Sequence, residues 1–193
     1  MGDKHKPRIP EAEVDPLFPQ RWSPRSFSSE PIPQAKIDSL LEAARWSPSC
    51  YNEQPWFFVL PQNKKEKEKF LSSLAEQNRI WAKHAPLLLF LCARRRFSLN
   101  NKENRHAVFD CGAAWMALAL QARKLGLFAH AMAGFKKDKA YQVTKIKKED
   151  YDIIAAIAVG KKGDPAALPS DLKKQEFPNQ RKPLSELYYK GEL

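Results

Sequence analysis

Arg21 to Leu60 reads RWSPRSFSSEPIPQAKIDSLLEAARWSPSCYNEQPWFFVL, two polar clusters separated by one amphipathic helix. In the first cluster Arg21, Ser23 and Arg25 alternate with Trp22 and Pro24, and residues two apart on an extended strand point the same way. Pro24 favours an extended Ser23 before it. Two guanidiniums and a hydroxyl on one face make a cradle for a phosphate or another anion. The second cluster runs Pro48-Ser49-Cys50-Tyr51-Asn52-Glu53-Gln54-Pro55-Trp56. Two prolines stiffen it, and its amides and hydroxyls suit the edge of a flat heterocycle. Between the clusters, Pro33 opens a helical pattern with Ile37, Leu40, Leu41 and Ala44 on one face. Trp56 to Leu60 then reads as a buried strand that Pro61 ends.

Taken singly, a basic pair is most simply a solvated face and a Pro-rich polar loop a turn. Their order and separation are more specific. RWSPRSF resembles the R-R-S-x-R-x-F opening of the nitroreductase-like flavoproteins, and LLEAARWSPSCYNEQPWFFV is similar to that family's helix and P-S-S-x-N-x-Q-P-W loop. The resemblance implies an α+β fold with a central, mostly antiparallel sheet flanked by helices and a long buried central helix at a dimer core.

The 193 residues, 43% of them hydrophobic, suit one domain with a sizeable core. Residues 1–20 form an N-terminal extension and residues 161–193 a C-terminal arm. No apolar run is long enough to span a bilayer, and MGDKHKPRIPEAEV has no apolar signal region. Lys6 stands where a myristoylation pattern wants Ser or Thr. A cytoplasmic protein is expected. Cys50, Cys92 and Cys111 form no CxxC pair and no metal-ligand spacing with His5, His84, His106 or His130, so no metal is expected. Cys92 and Cys111 lie in apolar segments and read as buried thiols. Cys50 stands in the polar loop without a His or Asn context that would activate it.

The net charge of +11 invites a nucleic-acid reading. It is spread over separate runs such as residues 64–69 and Arg94-Arg95-Arg96, some interleaved with acids, and no nucleic-acid module accompanies them. Solvated surface explains these runs better, with long-range attraction of anionic ligands as a consequence.

Residues 64–83 read as one charged helix with Phe70, Leu71, Leu74 and Trp81 turned inward. Residues 86–93 are a continuous apolar run, as in a strand covered on both faces. Residues 94–104 read as a mobile polar loop of the kind that forms lids. Residues 105–126 make the longest helix, apolar around two faces and so expected to be buried on nearly all sides. Gly126 ends it. Residues 151–160 are another buried strand, and the tail beyond is rich in Pro and Lys.

The family resemblance carries roles onto named positions. It places Arg21, Ser23 and Arg181 on an FMN phosphate, with Arg181 in FPNQRKPLSEL and Asn179 where a Lys is common. Arg25 falls nearer the flavin ring, and Asn52 falls where it hydrogen-bonds flavin or substrate. Pro48, Ser49, Cys50 and Gln54 belong to the loop that approaches the ring from the opposite subunit. Asn78 matches an Asn near the flavin, and Ala131, Met132, Ala133 and Gly134 match a segment running past it. The implied activity is that of a homodimeric, FMN-dependent NAD(P)H oxidoreductase with no catalytic side chain. Hydride passes through flavin N5 in ping-pong fashion to nitroaromatic, quinone or similar small-molecule acceptors. The arm is expected to embrace the partner subunit, with no nucleic acid or membrane involved. Three alternatives stand beside this reading: a flavoprotein of the same fold doing reductive dehalogenation or flavin fragmentation, a basic nucleic-acid binder without flavin, and a flavin-storing or redox-sensing module.

Overall fold

The structure is a computed structural model and describes residues 7–192. Its elements are α1 (Leu17–Gln20), α2 (Gln34–Arg45), β1 (Trp56–Val59), α3 (Lys64–Ser73), α4 (Glu76–Ala82), β2 (Leu87–Arg94), α5 (Ala107–Lys124), β3 (Phe128–Met132), α6 (Lys137–Thr144), β4 (Tyr151–Gly160) and α7 (Ser170–Lys173). The strands form one antiparallel sheet in the order β1-β2-β4-β3.

The continuous apolar run becomes β2 because this strand is covered on both faces. Leu88, Phe90 and Cys92 pack on one side with Phe70, Leu71, Trp81 and Tyr141 from α3, α4 and α6. Leu87, Leu89 and Leu91 pack on the other with Leu40 of α2 and Cys111, Ala114 and Leu118 of α5. Side chains alternate across a strand, so one segment nucleates two cores. β4 does the same through Ala156 and Ala158 on one face and Ile157 and Val159 on the other.

Two expectations need correction. β1 lies at a sheet edge, pairing only with β2, and Phe57 is 45% exposed, so it is not a buried strand. The single helix expected over residues 64–83 is two helices. The chain breaks at Leu74, which bridges to Phe135, and Ala75 N–H donates to the Gly134 carbonyl at 2.9 Å. Phe70, Leu71, Leu74 and Trp81 are all buried as expected. Residues 94–104, read as a polar loop, close at the base as a short hairpin. Arg96 bridges Glu103, and Ser98 N–H donates to the Glu53 carboxylate at 2.8 Å.

Helix α5 buries one face, from Ala107 through Asp110, Cys111, Ala114, Leu118 and Ala122. Its other face, expected to be covered as well, leaves Val108 and Phe109 55% and 81% exposed in the single chain. The helix ends as a Schellman motif: Gly126, at φ 75°, donates to the Arg123 carbonyl and Leu127 to the Ala122 carbonyl. Among the described residues, no helix is long and apolar enough to cross a membrane.

Candidate functional site

Residues 21–27 run extended along the start of the arm. Trp22, Pro24 and Ser26 are buried while Arg21, Ser23 and Arg25 are half-buried, the alternation expected of an extended segment. Glu176 fixes the register: its carboxylate accepts from the Ser26 hydroxyl at 2.6 Å and from the backbone N–H of Arg25 and Ser26. Beyond it, Ser28 N–H donates to the Lys161 carbonyl and Gly163 N–H to the Ser26 carbonyl.

Arg21 Nη1 donates to Ser23 Oγ at 3.5 Å. Arg21 and Arg181 line one cavity of about 540 Å³ with Arg8 and Lys182. Burial lowers the Arg21 pKa, and the nearby positive charge of Arg181 lowers it further. Arg8 is shifted the same way by burial, Arg181 and Arg21. No carboxylate forms an ion pair with any of the three among the described residues. Like charges gathered without an ion-paired carboxylate fit a phosphate-bearing ligand, whose charge near −2 would reverse the repulsion.

Sequence reasoning missed Arg8. It stands in the segment read as an extension, between Pro7 and Pro10, and that stiff setting was its one signal.

Beside this cradle runs β3. Trp22 meets Phe128 edge-on, with ring centroids 6.0 Å apart, and His130 Nδ1 lies 2.8 Å from the Pro24 carbonyl. A carbonyl can only accept, so Nδ1 carries the proton. Burial is the first cause that holds His130 below the usual histidine range, opposed by that hydrogen bond. Ala131 and Met132 end β3, with Met132 buried, and Ala133 and Gly134 continue it at the surface. Asn78 Nδ2 donates to the Gly134 carbonyl at 3.0 Å. A Cβ on residue 134 would stand 2.6 Å from that nitrogen, so any larger residue would push the Asn78 amide out of this position. Asn78 and residues 131–134 are therefore brought together, next to residues 21–25.

The loop from Pro48 to Gln54 lies apart, at the N-terminal end of α5. Tyr51, Asn52 and Gln54 have φ of 52°, 54° and 53°, the left-handed region that side chains rarely adopt. The loop is pinned in return. Asp110, buried in the first turn of α5, accepts from Cys50 N–H at 3.1 Å. Ser49 Oγ accepts from Gln54 N–H at 2.9 Å, and Gln54 Nε2 donates to the Asn52 carbonyl at 3.0 Å. Strain maintained by surrounding bonds is found where a loop must present a fixed shape. Among the described residues, no hydrogen bond joins this loop to Arg21, Ser23, Arg181 or Asn78 within one chain.

Cys92 and Cys111 are buried free thiols, both pushed up to about 12, with desolvation the first cause. They are inert as nucleophiles. Among the described residues, no group of three or more His, Cys, Asp or Glu side chains could hold a metal ion.

Comparison with known proteins identifies the family and the fold. The model described as "Nitroreductase family" matches residues 19–81 and 78–161. A crystal structure described as an oxidoreductase containing FMN superposes with TM-score 0.91 and 38% identity, covering 100% of this chain and 98% of that one. A nitroreductase family protein from Clostridium difficile 630 shares the fold, with TM-score 0.71, 22% identity and coverage of 92% and 97%. The Bacillus subtilis protein named FMN reductase [NAD(P)H] is 37% identical over 81 residues, which are 42% of this chain and 32% of that protein.

Proposed function

From the premise that the chain belongs to the nitroreductase family, we propose that it is a homodimeric, FMN-dependent NAD(P)H oxidoreductase acting on nitroaromatic, quinone or similar electrophilic acceptors. The observation that carries the reading is the set of guanidiniums converging on one cavity with no paired carboxylate, at the position where the sequence resembles a phosphate site. The FMN-containing oxidoreductase and the NAD(P)H-dependent FMN reductase among its relatives supply the cofactor and the electron donor.

Each group of residues then has a task. Arg21, Ser23 and Arg181 hold the phosphate by charge-assisted hydrogen bonds. Arg25 lies nearer the ring, where a cation favours a reduced, anionic flavin. Asn78 and residues 131–134 border the ring on the same chain. Pro48, Ser49, Cys50, Asn52 and Gln54 act on the ring of the other subunit, which accounts for a strained loop that, among the described residues, makes no hydrogen bond to Arg21, Ser23, Arg181 or Asn78 in its own chain. The bound flavin supplies the redox chemistry, accepting hydride from NAD(P)H and passing it to the acceptor. The side chains orient the reactants and tune charge, and none acts as a nucleophile.

The dimer is supported by what one chain leaves bare. Val108 and Phe109 on α5 are exposed, as are Leu187, Tyr188 and Tyr189 on the arm. Such apolar surface is what a subunit interface covers. We take residues 1–193 as one domain, with residues 161–193 as the arm that crosses to the partner. Buried Cys92 and Cys111, which form no disulfide among the described residues, suit a cytoplasmic location.

Steady-state kinetics test the reading. NADH and NADPH are each varied against a nitroaromatic and a quinone, on protein loaded with FMN. Parallel double-reciprocal lines are expected. Loaded protein that oxidises neither nucleotide with any acceptor would contradict it.

A further inference from the structure

The cation cavity is completed by a residue from outside the motifs. Arg8 Nε donates to the Asn179 carbonyl at 2.7 Å, and Nη1 donates to the Arg21 and Pro19 carbonyls at 2.8 Å and 3.1 Å. These bonds fix the plane of the guanidinium and leave Nη2 without a hydrogen-bond partner among the described residues. A fork held in one plane, with donors to spare, is preorganised for an oxyanion.

No carboxylate forms an ion pair with it among the described residues. Arg8 shares the cavity with Arg21, Arg181 and Lys182. The one carboxylate lining that cavity, Glu11, accepts from Leu184 N–H at 3.1 Å. Burial and the fields of Arg181 and Arg21 lower the Arg8 pKa, so the folded chain carries an electrostatic cost that its own groups do not relieve. A dianion in the cavity would relieve it.

Building on the function proposed above, we infer that Arg8 is a further phosphate-binding residue. It brings a fixed guanidinium from the N-terminal extension to the phosphate of the cofactor. The extension is then part of the cofactor site and not an appendage. It is also clasped to the arm through Asn179 and through Glu11 and Leu184. Phosphate binding accordingly tightens both ends of the chain at once.

The test titrates cofactor-free, full-length protein with FMN and with riboflavin, which has the same ring and no phosphate. Flavin fluorescence is followed for the wild type, Arg8→Gln and Arg8→Lys, alongside thermal unfolding of each protein without flavin. Arg8→Gln is expected to weaken FMN on the order of 10- to 100-fold while riboflavin changes by less than about twofold. It should also flatten the salt dependence of FMN binding, with Arg8→Lys, which keeps the charge and loses the fork, in between. Equal weakening of both flavins would reduce Arg8 to a clamp between chain segments and overturn the inference. Unchanged FMN binding by Arg8→Gln would overturn it too. Wild-type protein that takes up neither flavin would sink the cofactor assignment itself, a different result from either.

Discussion

The two polar regions of this chain are built on opposite principles. Around Arg21 the backbone is relaxed and the charges are uncompensated: Arg8, Arg21 and Arg181 share a cavity with no ion pair to any of them. Around Asn52 the backbone is strained at three residues, and the loop is held by Asp110, Ser49 and Gln54. The first region stores an electrostatic imbalance that only a ligand corrects. The second stores backbone strain and presents a rigid shape. A site assembled from one of each, taken from different subunits, would bind tightly through the first and orient through the second.

Substitutions can break that contrast. Arg21→Ala should have the largest effect, about 100-fold weaker FMN binding, because it removes a half-buried charge-assisted donor. The protein without flavin should hold its stability, since a repelled cation is gone, and thermal unfolding beside a flavin titration checks both. Asp110→Ala should do the reverse. It leaves Cys50 N–H without its acceptor and costs about 1.5–3 kcal/mol of stability by urea denaturation, with the FMN phosphate contacts untouched.

Gly134→Ala places a Cβ 2.6 Å from Asn78 Nδ2, the tip of a side chain that can swing aside, and should cost about 1 kcal/mol or less while displacing Asn78, visible as a shift in the bound-flavin spectrum. A smaller effect is expected from pH. His130 and His84 both lie below the usual histidine pKa, with burial the first cause. The unfolded chain therefore binds more protons than the folded one as pH falls below about 6.5, and stability declines there. His130→Asn, which keeps a donor for the Pro24 carbonyl, should flatten that decline in denaturation curves recorded from neutral to mildly acid pH. Smallest of all, Gln54→Gly should raise stability by less than about 1 kcal/mol by relieving one left-handed residue, set against the loss of its exposed bond to Asn52.

What the sequence revealed and concealed follows the range of the interactions. β2 and β4 were legible because burial on both faces writes a continuous apolar run. β1 carries the same signature, yet its place at the sheet edge depends on which strands pair, which no local pattern records. The break at Leu74 was hidden for the same reason, since the backbone there turns to bridge Phe135. Arg21, Ser23 and the loop to Gln54 were readable as chemistry from residue type and spacing. The strain at Tyr51 was not, because Tyr has no preference for positive φ and the bonds that impose it come partly from Asp110, sixty positions beyond Cys50. Arg8 was the least legible, gripping a carbonyl 171 residues away.

The visible spectrum of protein purified without added cofactor, followed by heat release and identification of the chromophore, tests the central claim most directly. A flavin spectrum with FMN released in proportion to chains is the predicted result. A colourless protein that also fails to take up added FMN would contradict the account.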